Sequence, residues 1–251
     1  MKALVDADSI VYKYASIHQD VVQWDSETKT VFTDLALAKE GFNLHVESIL
    51  RKTKTTSALL VMSPTTNFRY KVLDTYKWNR KPSENPLQLL MPLKRWVYET
   101  FDTYVPCYVE ADDYCVWRML KEPKQWVLCH IDKDLNQAKG KHYNYTTERG
   151  YHVTQEEGEY KFYEQVLSGD SSDGYKGCPS IGAKRTAVIL DPDNLKKNKQ
   201  TRWEAVVATY ESKGLTEADA LQQARVAKML TPDEYDGYDS IKLWTPTKGD
   251  K

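Results

Sequence analysis

Short apolar runs alternate along the first half of the chain with longer stretches in which apolar residues recur every three or four positions. Residues 3 to 7, ALLVM at 58–62, VPCYV at 105–109 and WVLCHI at 126–131 each have the length and composition of a buried strand. VVQWDSETKTVFT at 21–33 predicts a hairpin with an irregular polar turn. Between these runs, Leu37, Phe42, Leu44, Val46, Ile49 and Leu50 mark a helix from Leu35 to about Arg51, with Thr33 or Asp34 as its N-cap. Further helical patterns cover 87–101 and 111–120. Strands that alternate with helices predict an α/β fold with a mostly parallel sheet covered on both faces.

Beyond residue 155 no apolar run has comparable strand character, and helical patterns at 157–167, 182–190, 201–210 and 216–228 take over. Thr216, followed by Glu217 and Asp219, starts the last of these with acids near the positive end of its dipole. IKLW at 241–244 reads as a final edge strand. There is no internal repeat or low-complexity linker, so two closely packed parts are expected, 1–155 and 156–251.

With 251 residues, 41% of them hydrophobic, the chain can bury a substantial core. No apolar run approaches the roughly 20 residues needed to span a bilayer, and the segment after Met1 is too short and acidic for a signal peptide. A soluble intracellular protein is expected, without membrane partners. Cys107, Cys115, Cys129 and Cys178 lack C-x-x-C spacing and read as free thiols in a reducing compartment.

In an open parallel sheet, ligands bind beyond the carboxyl ends of the strands. The acids follow that rule. The first strand ends at Asp6, the third runs into Glu110, Asp112 and Asp113, the fourth into Asp132 and Asp134, and the helical part carries Asp170 and Asp173 in LSGDSSDG. Any one of them could be a helix cap or a solvated acid. Eight at neighbouring strand ends would repel one another strongly without cations. An all-oxygen cluster suits magnesium or manganese, and the five histidines show no zinc-type spacing.

Two metal readings compete at VDADS. A phosphatase of the haloacid dehalogenase type would use Asp6 as nucleophile and Asp8 as acid, with Ser63 and the late GDSSD completing its motifs. Against it, EYKFYEQVL before Gly169 is helical where that enzyme needs a buried strand. EADD and DKD would also have no task, and the loop GCPSIGAKRTA would be unexplained.

EADDYCVW (110–117), IDKDLNQ (131–137) and GDSSDGYKGCPSIGAKRTA (169–187) stand in the order and spacing of the flap endonuclease and 5′→3′ exonuclease family. GLTEADALQQARVAKMLTPDEYDGYDSIKLW resembles the small bacteriophage exonucleases of the T7 type. The resemblance covers nearly the whole chain. It implies a PIN-like fold of flap-endonuclease type, an arch or gateway at about 68–100, and a helix-hairpin-helix-like duplex-binding loop at 177–187. By motif, Asp6, Glu110, Asp112, Asp113, Asp132, Asp134, Asp170 and Asp173 would hold two magnesium or manganese ions, with Asp8 only a neighbour. YKWNR (76–80) resembles the family's Y-K-x-N-R, which would set Lys77 and Arg80 on the scissile phosphate and stack Tyr76 on a base. In the glycine loop, Gly177, Ser180, Gly182, Lys184 and Arg185 would hold duplex backbone, and its carbonyls a potassium ion. Glycines let a backbone approach a phosphate, and N–H groups opening a helix attract it.

Two departures stand out. MSPTTNFR offers Ser63 and Pro64 where the family has an aspartate at the end of the second strand, and Ser180 replaces the middle glycine of the loop. Setting aside the eight site acids turns the net charge of −1 into +7 on the remainder, compatible with salt-sensitive DNA binding. The expected activity is two-metal hydrolysis at 5′ ends of duplex DNA, with 5′-flap cutting, in phage replication, recombination or primer removal. The resemblance further implies a monomer in the cytoplasm of an infected bacterium, coupled to replication through other proteins, with RNA–DNA hybrid as an alternative substrate. A DNA-binding member with weakened catalysis is the second rival to the nuclease, alongside the phosphatase.

Overall fold

The computed structural model describes residues 1–80 and 83–247, so two positions of the expected arch and the last four of the helical part lie outside it. In chain order the elements are β1 (Lys2–Asp6), α1 (Asp8–Ile17), β2 (Gln19–Gln23), β3 (Lys29–Thr33), α2 (Leu35–Thr53), β4 (Ala58–Val61), α3 (Arg69–Val72), α4 (Leu90–Thr100), β5 (Thr103–Tyr104), α5 (Ala111–Lys121), β6 (Trp126–His130), β7 (Gly140–Asn144) and β8 (Arg149–Val153). Then come helices only: α6 (Gln155–Ser168), α7 (Ala183–Ile189), α8 (Pro192–Asn198), α9 (Arg202–Glu211) and α10 (Glu217–Ala227).

The main sheet has the order β5-β4-β1-β6-β7-β8 and is parallel except for the antiparallel β7–β8 pair at its end. Successive residues of a strand face opposite sides. Ala3 and Val5 therefore join a core with α1, α2 and α4 on one face, while Leu4 joins α5 on the other. A third core unites α6, α9 and α10 with Tyr76. The expected helices form within a few residues of their predicted ends, and Asp34 caps α2 by accepting from Leu37 N–H. Thr216 caps α10 in a reciprocal box with Asp219. The passage from strands to helices falls at Thr154, the cap of α6.

Two expectations change, the hairpin at 21–33 forms, and one hairpin was not foreseen. VPCYV does not form a strand: the ladder stops at Tyr104, because Pro106 has no N–H to give and Tyr108 takes φ 59°. IKLW contributes a single bridge, Ile241 to Tyr235. The β2–β3 hairpin stands as its own two-stranded sheet. The β7–β8 hairpin was not legible, since its buried positions include His142, held by polar pairing instead of aliphatic packing. His130 and His142 meet through Nε2 and Nδ1 at 2.8 Å, and burial pushes both down to about 4.

Arg69 joins the parts. It is 2% exposed and makes a paired contact with Asp113 of α5, Nη1 to Oδ2 at 2.5 Å and Nη2 to Oδ1 at 2.8 Å. Its Nε donates to the Val226 carbonyl and its Nη2 to the Lys228 carbonyl, at the end of α10. Burial opposes the guanidinium charge, but Asp113 and Glu110 raise its pKa well above the ordinary value. Removing one partner of a buried, hydrogen-bonded pair strands the other charge. Arg69→Met is expected to lose about 3–5 kcal/mol in chemical denaturation. Arg69→Met with Asp113→Leu should recover much of that loss, and a double variant no better than the single one would argue against this account.

Candidate active site

β1, β6 and the start of α5 deliver their acids to the same end of the sheet, as parallel strands must. Asp6 ends β1, Asp112 lies in the first turn of α5 behind its cap Glu110, and Asp132 caps the short 3-10 turn after β6 by accepting from Asp134 N–H. Asp6, Asp8, Glu110, Asp112 and Asp132 line one cavity of about 820 Å³, together with Lys77, Arg80 and Tyr70. His130 reaches the Asp132 carbonyl through Nδ1 at 2.5 Å, which anchors this loop to the sheet.

The GDSSDG loop follows α6, a helix, with Gly169 at its C-terminus. The buried strand that a phosphatase of the rival type would place there is absent among the described residues. The YKWNR segment is stitched along this loop by backbone contacts: Lys77 N–H donates to the Asp173 carbonyl at 2.8 Å, and the Asn79 side-chain amide to the Ser171 carbonyl at 2.6 Å. Gly174 is needed for the close approach, because a Cβ there would stand 2.4 Å from the Thr75 carbonyl oxygen.

Side chains complete the link between the acid groups. Tyr76 donates from its hydroxyl to Glu110 Oε2 at 2.5 Å, and stands 3.2 Å from Asp173 Oδ2. Lys77 Nζ pairs with Glu110 Oε1 and lies 3.7 Å from Asp173 Oδ2, and Arg80 Nη2 donates to Asp173 Oδ1 at 2.7 Å. Lys77 and Arg80 thus flank the basin. Tyr76 does not stack on a base: it is 2% exposed and packs edge-on against Tyr70, 5.6 Å between rings. Tyr70, 44% exposed, is the aromatic ring that lines the cavity. Nothing local in NFRYKVLDTYKWNR separates the exposed tyrosine from the buried one.

The remaining acids divide. Asp113 is not in the basin, because both of its oxygens are committed to Arg69 and it is fully buried. Asp170 Oδ1 accepts from the backbone and hydroxyl of Ser172 at 2.7 and 2.6 Å. Asp134 is 7% exposed, and its Oδ1 has no hydrogen-bond partner; Lys161 Nζ is 3.9 Å away. Burial, then the charges of Asp132 and Asp170, push Asp134 up to about 6.

Burial likewise lifts Asp6 to about 7, with Asp8 and Asp132 adding to it, and lifts Asp112 well above the ordinary range. Glu110, by contrast, is held below its ordinary value: burial raises it, but Arg69, Lys77 and Tyr76 outweigh that. Among the described residues no group of three or more His, Cys, Asp or Glu side chains stands arranged to hold a metal ion. The donor set is nevertheless all carboxylate, and the orphaned Asp134 oxygen and repelling Asp6 and Asp112 call for a hard divalent cation. The residues fit such an ion by chemistry, with Lys77 and Arg80 now on the oxygens it would share.

In the glycine loop, Gly177 (φ 63°) packs inward: a Cβ would sit 2.3 Å from Gly169 N. Gly182 caps α7 over open space, and Lys184 and Arg185 are exposed. Ser180 adopts φ 63°, the left-handed region a glycine accepts at no cost, and its carbonyl accepts from Arg185 Nη1 at 2.6 Å. Ser180→Gly is expected to raise stability by up to about 1 kcal/mol in chemical denaturation; a loss would contradict this assignment of strain.

The pH dependence of stability has a definite sign. Asp6 holds its proton to about pH 7 when folded and to its ordinary 3.8 when unfolded. Its contribution favours folding below about pH 4 and is lost as pH rises through 7. In chelator, Asp6→Asn should therefore show a smaller fall of the denaturation midpoint between pH 4 and 8 than the unaltered protein. Equal slopes would refute the raised pKa.

No family model matches the chain. It is 24% identical to the exodeoxyribonuclease of Enterobacteria phage T3 and 23% identical to the exonuclease of Escherichia phage T7, each over 279 aligned residues. Those alignments take in 97% of this chain and 92% and 93% of the relatives. The bacteriophage T5 D15 flap endonuclease, solved as a complex with DNA and metal ions, superposes with a TM-score of 0.67 at 16% identity, covering 91% of this chain and 89% of that one. By sequence the chain is thus similar to phage exonucleases along nearly all of its length, and by fold to a phage flap endonuclease.

Proposed function

We propose that the protein is a divalent-metal-dependent nuclease that removes nucleotides from 5′ ends of duplex DNA and cuts 5′ flaps. One observation carries this reading: Tyr76 and Lys77 bridge Glu110 to Asp173, gathering acids from β1, α5, β6 and the GDSSDG loop beside two lysine or arginine side chains. The T3 and T7 relatives are named as exonucleases and the T5 neighbour as a flap endonuclease, which supports the same chemistry.

Asp6, Glu110, Asp112 and Asp132 would hold one part of a two-cation magnesium or manganese site, and Asp134, Asp170 and Asp173 the other. Bound divalent cations supply Lewis-acid activation of water and of the leaving 3′ oxygen in such sites. The chain's own residues do the rest. Lys77 and Arg80 pair with carboxylates of the basin, and a scissile phosphate would draw them onto its developing charge. Tyr70 offers a stacking face at the basin, while Gly182, Lys184 and Arg185 present a backbone cap and positive charge to duplex phosphates.

Under this reading, residues 1–155 are the catalytic core and the helices after 155 grip the duplex, with 177–187 acting as a helix-hairpin-helix-like loop. Potassium at its carbonyls, a monomeric state, contacts with replication proteins and residence in an infected host's cytoplasm belong to the same proposal. No helix among the described residues is long and apolar enough to cross a membrane.

The test is magnesium-dependent digestion of labelled flap, nicked, blunt and RNA–DNA hybrid substrates, with a chelator control. Asp134→Asn and Asp170→Asn should each abolish cutting while circular dichroism remains unchanged; retained activity in both would sink the assignment. Release of inorganic phosphate from small phosphomonoesters would point to a phosphatase. Duplex binding without turnover in magnesium or manganese would leave a DNA-binding protein.

A further inference from the structure

We propose that Asp8 is a working metal ligand, supplying from the first turn of α1 the carboxylate that the end of β4 lacks. The inference rests on the two-cation reading above and adds a residue to it. β4 lies directly beside β1 in the sheet, so its end opens onto the same basin as Asp6. That strand contributes no acid there. Ser63 follows it, and the Ser63 hydroxyl is engaged as acceptor for the Ala111 N–H at 3.0 Å, tying β4 to the start of α5.

Asp8 occupies the vacant corner. Its Oδ2 accepts from the Ser63 N–H at 2.8 Å, so the carboxylate is held at the end of β4 although its backbone belongs to α1. It lines the same cavity as Asp6, Glu110, Asp112 and Asp132. A capping role is not its task, because the cap position of α1 is Ala7 and no side chain caps that end. The second oxygen, Oδ1, faces Lys94 Nζ of α4 at 3.1 Å, with the Lys94 side chain 21% exposed. An ammonium on a basin carboxylate marks a position where positive charge is already favoured, and a divalent cation can take it over from the lysine. The Ser63 N–H would meanwhile fix the other oxygen, as outer partners orient metal-binding carboxylates.

The test reads metal binding, with no DNA present. Mn2+ is titrated into the full chain by calorimetry, with electron paramagnetic resonance counting bound ions. Asp8→Asn keeps an acceptor for the Ser63 N–H and removes the charge. It is expected to weaken one Mn2+ site more than about tenfold while the denaturation midpoint in chelator stays unchanged. Adding Ser63→Asp, which returns a carboxylate to the end of β4, should recover that site at least in part. Two Mn2+ bound to Asp8→Asn with unaltered affinity would overturn the proposal. So would weakened binding that comes with a lower midpoint in chelator and is not recovered by Ser63→Asp, since that pattern marks a structural role. Failure of the unaltered protein to bind Mn2+ at all is a different result, and would overturn the two-cation reading beneath.

Discussion

Carboxylates gathered at one end of a parallel sheet repel one another, and the segment from Arg69 to Lys94 is built around offsetting that repulsion. Among the described residues, four cations from this stretch reach the acids: Arg69 takes Asp113, Lys77 takes Glu110, Arg80 takes Asp173 and Lys94 takes Asp8. The four differ in depth. Arg69 and Asp113 are sealed from solvent and bind helices together, whereas the Arg80 side chain is 58% exposed and free to move to another anion. Burial therefore separates the cation that maintains the fold from those that can serve chemistry.

The same segment accounts for the docking of the helical part on the sheet. Arg69 donates to carbonyls at the end of α10, Tyr76 sits in the core formed by α6, α9 and α10, and the Lys77 backbone pairs with the GDSSDG loop. A short stretch between β4 and α4 is thus held on one side by the basin carboxylates and on the other by the helices. Acids far apart in sequence become neighbours because this stretch bridges them. Tyr76 contributes more as a buried bridge between Glu110 and Asp173 than it could as an exposed stacking surface.

At the two positions where the chain departs from the motifs it resembles, local geometry supplies a reason. Ser63 and Pro64 bring no acid to the end of β4, yet Asp8 is held there by the Ser63 N–H. Ser180 keeps the left-handed backbone that a glycine would adopt, with its carbonyl tied by Arg185.

The sequence by itself determined the alternation of strands and helices, the change to helices after residue 155, and the placing of Asp6 and Asp132 at strand ends. These follow from local periodicity and from the direction of parallel strands, and both are written in neighbouring residues. It misread VPCYV and IKLW and overlooked β7–β8, because whether a run becomes a strand depends on the N–H groups and edges available to pair with it. Within the site, it could not separate Asp112 from Asp113, adjacent acids on one helix turn. Only the fold, by bringing Arg69 across 44 residues to claim Asp113, leaves one in the basin and commits the other to the core. Long-range hydrogen bonds also placed Tyr76 inside, on Glu110 and Asp173, and set Asp8 at the end of β4 on the Ser63 N–H, and none of those partners is near in sequence.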